Sequence, residues 1–165
     1  MTFEDTTTPV RSARTSRARR LLVALAALMA VASFSTVLTG CESTSAERAQ
    51  VAALVNQSRA QAGLRTLRSN LTLDIKADNW AQRLRNACQI SHSRLADGAP
   101  SNWRKLGENV GEGATIQAVH TAYLNSPGHR ANIMDPAFTE IGTAAVWGNC
   151  NGWRRVFTVQ VFMAT

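Results

Sequence analysis

A chain of 165 residues has room for one folded domain with its own core, and its formal charge of +7, from 18 basic and 11 acidic residues, at first suggests a polyanionic partner. Position removes that suggestion, because Arg11, Arg14, Arg17, Arg19 and Arg20, with Glu4 and Asp5, all precede Gly40. The thirteen basic and nine acidic residues that follow leave +4, scattered and without interleaved aromatics, so no nucleic-acid partner is expected.

The arginines lead into an apolar run, Leu21 to Val37, and then into Leu38-Thr39-Gly40-Cys41. Basic stretch, apolar run and small-residue junction, in that order, read as a secretory signal peptide over residues 1–40. As a membrane span the run is too short: its 17 residues are interrupted by Ser33, Ser35 and Thr36, against the ~20 that a bilayer requires. The junction resembles the bacterial lipobox, whose cysteine thiol receives a diacylglycerol group. That resemblance implies an acylated Cys41 as the new N-terminus, held by two acyl chains at the extracytoplasmic face of the cell membrane. Ordinary cleavage nearby, giving a secreted protein, is the alternative. Setting Cys41 aside leaves Cys88 and Cys150. In an oxidising compartment this pair favours a disulfide over a metal pair or a reactive thiol.

Residues 41–46 read as a polar tether and 47–165 as the domain. Thr44 and Glu47 have capping-box spacing, and Val51, Leu54, Val55, Ser58 and Ala62 then line one face of a first helix that Gly63 can end. Asn70 caps a second, with Leu73, Ala77, Trp80, Ala81, Leu84 and Cys88 at offsets of three and four. From Gln89 to Gly113 periodicity fails and glycine, serine, proline and asparagine accumulate, which predicts a loop with one short strand around Glu108 to Val110. Thr115 opens a third helix bearing Ile116, Val119 and Tyr123; His120, on the same helix, reads as exposed. Ser126-Pro127 opens a short fourth helix that stops near Asp135-Pro136. Two β-branched and aromatic runs, Phe138 to Trp147 and Trp153 to Met163, flank a glycine- and asparagine-containing turn and predict a hairpin. Helices first and strands last give an α+β domain with an antiparallel sheet.

Three segments concentrate chemistry-bearing residues: His92-Ser93, Gly107-Glu108-Asn109-Val110 and Ser126-Pro127-Gly128-His129-Arg130-Ala131-Asn132-Ile133. A histidine in the first turn of a helix is biased toward its neutral, metal-binding form, and a carboxylate in a half-buried strand needs partners. In this order the three segments resemble the CAP superfamily (cysteine-rich secretory, antigen 5, pathogenesis-related; the SCP domain) in its bacterial branch. The likeness extends from about Asn56 to the closing Val159-Gln160-Val161-Phe162. It implies an α-β-α sandwich, with a small antiparallel sheet between helical layers, and a cleft of two histidines and two acids. His92, His129 and Glu108 match three of those positions. At the fourth stands Asn125, which can hydrogen-bond a ligand but cannot act as a base.

The resemblance implies a binding module for envelope lipid, glycan or protein, with His92, Glu108, Asn125 and His129 lining its ligand site. His92 and His129 are the candidate ligands for zinc or another divalent metal, with Glu108 as a third. A metal-assisted hydrolase, with Glu108, His92 and His129 as its catalytic candidates, is the second reading, weakened by the missing acid. A structural envelope component is the third. Ser93 reads poorly as a nucleophile, since adjacent residues of an extended loop point apart and no oxyanion device accompanies it.

Overall fold

The computed structural model describes residues 43–165. The arginine-rich leader, the apolar run and Cys41 lie outside the described residues, and with them the signal-peptide and acylation expectations. Along the chain run α1 (Ser45–Gln61), β1 (Arg68–Ser69), α2 (Leu71–Ala87), β2 (Lys105–Gly113), α3 (Ile116–Asn125), α4 (Pro127–Met134), β3 (Glu140–Cys150) and β4 (Trp153–Ala164).

The helix starts follow local chemistry. Thr44 and Glu47 exchange both bonds of a capping box, Asn70 accepts from the Leu73 amide, and Thr115 from that of Ala118. The folded body begins earlier than the tether boundary drawn from sequence. Ser43 is buried, its amide donating to Asp78 Oδ1 at 2.8 Å and its hydroxyl accepting from the Ala145 amide at 2.5 Å. Among the described residues no helix is long and apolar enough to cross a membrane.

The strands form one sheet in the order β1-β3-β4-β2. The β3–β4 hairpin and the β2–β4 pairing are antiparallel, but β1 joins β3 in parallel, so the sheet is mixed rather than antiparallel. The exception is a two-residue strand with no β-branched run to announce it. The Asn56 side chain fixes its approach by bonding both the amide and the carbonyl of Leu67. Alternation along β4 separates two cores. Val156, Phe162 and Ala164 face α1, α3 and α4, whereas Phe157, Val159, Val161 and Met163 face α2. Helices on both faces make the α-β-α sandwich. A disulfide joins Cys88, at the end of α2, to Cys150, at the end of β3.

The short strand expected around Glu108 to Val110 runs over nine residues, Lys105–Gly113, at the end of the stretch read as loop, and its glycines mark close packing rather than chain freedom. A Cβ at Gly107 would lie 2.9 Å from Asn132 Oδ1 and from the Phe138 ring, one at Gly111 2.9 Å from the Tyr123 ring, and one at Gly113 2.8 Å from Val119. His120 is buried, not exposed. It falls on the inner face of α3 with Ile116, Val119 and Tyr123, and its Nε2 meets Ser58 Oγ of α1 at 2.8 Å.

Candidate functional site

The site is built around β2, an edge strand of the sheet. Successive residues of a strand point to opposite faces, and Glu108 and Asn109 use this to reach both layers. Glu108 turns to the α2 side and meets the 92–93 segment. Asn109 turns to the α4 side, where its amide nitrogen donates to the His129 carbonyl at 3.1 Å and to Gln160 Oε1 at 3.0 Å. Asn132 of α4 donates to Asn109 Oδ1 at 2.9 Å and to the Glu108 carbonyl at 3.2 Å, fastening α4 to the strand edge.

The Glu108 side chain is only 3% exposed and accepts three bonds. His92 Nδ1 and the Ser93 amide reach Oε1 at 2.8 and 2.9 Å, and Ser93 Oγ reaches Oε2 at 2.6 Å. Neighbouring loop residues thus converge on one carboxylate, where the sequence reading had them point apart. Behind Ser93 stands Lys76, a buried cation of α2 that sequence reasoning passed over. Its Nζ donates to Ser93 Oγ and to the carbonyls of Arg94 and Asp97 at 3.1, 3.0 and 2.7 Å. Burial lowers the Lys76 pKa, against the opposing pull of Glu108 and Asp97. Its signal in the sequence was a lysine in register with the apolar stripe of α2.

His92 is held by one nitrogen with 62% of its side chain exposed, so Nε2 faces outward. An ionised carboxylate only accepts, so Nδ1 carries the proton and Nε2 of the neutral ring keeps its lone pair. His129 repeats the arrangement from α4. Its Nδ1 lies 2.9 Å from Ser126 Oγ and its ring packs at 4.8 Å from that of Tyr123. Read from sequence as a helix cap, Ser126 makes no side-chain capping bond and instead orients His129. Burial, and then the neighbouring His92, lower the His129 pKa, which favours its neutral form. Asn125 ends α3 in an exposed position beside Ser126.

An α-β-α sandwich with two oriented imidazoles in the segments that flank its edge strand defines a class, and comparison with known proteins agrees with the fold. The pattern of the cysteine-rich secretory protein (CAP) family matches residues 52–162, and this chain belongs to that family. It is 32% identical over 121 residues to the uncharacterized protein YkwD of Bacillus subtilis; the match covers 68% of this chain but 47% of YkwD, so the chain spans about half the length of that curated relative. Solved structures show the same fold. An extracellular protein containing an SCP domain from Bacillus anthracis superposes with a TM-score of 0.60 at 23% identity, over 73% of this chain and 41% of that one. An outer surface protein of Borrelia burgdorferi gives 0.60 at 20% identity, over 76% of this chain and 98% of that one.

Proposed function

We propose that this protein is a lipid-anchored, extracytoplasmic binding module whose edge site takes envelope lipid, glycan or protein and holds a divalent metal between His92 and His129. Relatives described as extracellular and as an outer surface protein support the location. One observation carries the site: each imidazole has its Nδ1 engaged by an orienting group, Glu108 or Ser126, which leaves both Nε2 atoms for a ligand. Metal-binding histidines are oriented in this way.

The described residues do not make the three-ligand metal site expected from sequence, which leaves the two imidazoles as the proposed donors. Three of the roughly four acceptor positions of the Glu108 carboxylate are filled. Among the described residues no group of three or more His, Cys, Asp or Glu side chains could hold a metal ion. A metal held by two imidazoles would supply Lewis acidity to a ligand oxygen. The chain's own residues orient the rings, and burial biases His129 toward its neutral form. The same engagement leaves Glu108 poorly placed as a general base, which favours binding over hydrolysis.

Calorimetric titration of residues 43–165 with zinc tests the site. Binding should be present in wild type and lost in His92→Ala and in His129→Ala; equal heats in all three proteins would remove the metal. For the anchor, labelled fatty acid should enter the full-length protein and fail to enter Cys41→Ala.

A further inference from the structure

The outer face of α2 carries an exposed side-chain ridge whose one cation, Arg83, lies over the Trp80 ring at 5.7 Å. Leu71, Ile75, Asn79 and Arg83 follow one another at four-residue spacing, the spacing that stacks side chains along one helix face. All four are exposed, Leu71 by 74% and Ile75 by 55%. No free carboxylate interrupts the ridge: Asp74 accepts from Ser69 Oγ and the Thr143 amide, and Asp78 from the Ser43 amide and Gln82. Beside it, between α2 and the segment after it, lies a cleft of about 730 Å³ lined by Ile75, Trp80, Arg83, His92, Arg94 and one acidic residue, Asp97, among others. Arg83 and Arg94 have no carboxylate partner among the described residues.

The start of the described chain lies at this same helix. Ser43 is fixed to Asp78, one residue from the ridge, and the Arg48 guanidinium holds its carbonyl at 2.8 Å. Cys41 is two residues earlier, so an acyl anchor there lies within ~7 Å of Ser43. A tether this short limits which surfaces of the domain can meet the bilayer.

We infer that the ridge and cleft of α2 form the membrane-facing surface of the domain, with Leu71 and Ile75 at the headgroup boundary and Arg83 and Arg94 on the phosphates of an anionic bilayer. This rests on the anchoring proposed above and adds an orientation to it. Apolar side chains flanked by cations are the composition that settles at such an interface. His92, which also lines the cleft, then opens toward the lipid surface.

The test replaces the natural anchor. Residues 43–165 contain both cores and the disulfide, so they constitute a folding unit. An N-terminal histidine tag holds that unit on vesicles containing nickel-chelating lipid and phosphatidylglycerol. An environment-sensitive fluorophore is placed at Thr72→Cys or Ile75→Cys on α2, or at Gln117→Cys on α3 across the sheet, with thermal melts confirming that each variant folds. Labels at 72 and 75 should shift to the blue and the one at 117 should not. Combining Arg83→Gln with Arg94→Gln should weaken the oriented state by about 25-fold, at about fivefold per arginine, while Arg130→Gln on α4 leaves it unchanged. An equal shift at 117, or no shift at 72 and 75 on vesicles that retain the protein, overturns the orientation. Because the tag supplies attachment, this result is independent of whether Cys41 is acylated.

Discussion

Glu108 holds the 92–93 segment in place from a buried position, so its contribution to ligand binding is indirect. Glu108→Gln keeps the shape but puts an NH2 donor where Oε2 accepts from Ser93 Oγ, and removes the negative charge against which His92 is held. Zinc affinity should fall about 10- to 100-fold with the fold retained, since losing an orienting partner costs that much in metal sites; an unchanged titration would show that the carboxylate does not position His92. A histidine outside the site, His120, adds a pH dependence of the same sign as that of His129. Burial lowers the His120 pKa below its ordinary 6.5, and Nδ1 has no partner among the described residues. Below pH 6.5 the unfolded chain takes up a proton that the folded chain refuses, so stability is lost as pH falls from 6.5 toward the lowered value. Urea melts at about pH 7.5 and about pH 5.5, on either side of the ordinary histidine pKa, should show a larger loss for wild type than for His120→Gln, and equal losses would remove His120 as the cause. His92, Glu108 and His129 were legible because they stand in ordered motifs. Lys76, Ser126 and the burial of His120 were not, because a lysine, a serine and a lone histidine on amphipathic helices read equally well as solvent-facing or capping residues.

Single residues also hold whole elements in position. Arg59 of α1 is fully buried, and its Nη1 donates at 2.8 Å to the carbonyls of Ile133 and Asp135, satisfying the C-terminal end of α4. Arg59→Met should cost roughly 2–4 kcal/mol, because buried acceptors lose a charged donor. It should also raise hydrogen exchange in α4, the helix that carries His129. Protection unchanged in α4 would show that the helix is held by other contacts. Gly142 of β3 faces α2 so closely that a Cβ would lie 2.1 Å from the backbone carbon of Leu73. Gly142→Ala should cost about 3 kcal/mol or more by forcing the layers apart, and a denaturant midpoint near wild type would contradict that packing. Periodicity gave the four helices and the hairpin, since apolar spacing and caps lie within each segment. It shortened β2 to about Glu108–Val110 because glycine is a weak strand former, and the reason for those glycines is the position of Tyr123, Val119 and Asn132 in other elements.

For the molecule as a whole, the Cys88–Cys150 bridge links the α2 layer to the hairpin across 62 residues. Replacing both cysteines with serine should lower stability by about 4 kcal/mol on the chain-entropy account; a calorimetric melting temperature unchanged from wild type would show that the cores suffice alone. The α+β class was readable from element order and the three layers from the family resemblance, but the parallel β1–β3 pairing was not, since nothing in Arg68-Ser69 marks a strand.

The site's placement on β2 has an effect on solubility. One margin of the sheet is a two-residue strand, too short to recruit a neighbour, whereas the nine-residue β2 offers a long template for intermolecular pairing. Asn132 occupies its Glu108 carbonyl, and the His92 segment and α4 flank it on either side. The apparatus that would recognise a ligand therefore also guards the protein against polymerising through its own border, and damage to it should surface as aggregates on a sizing column before any ligand is added.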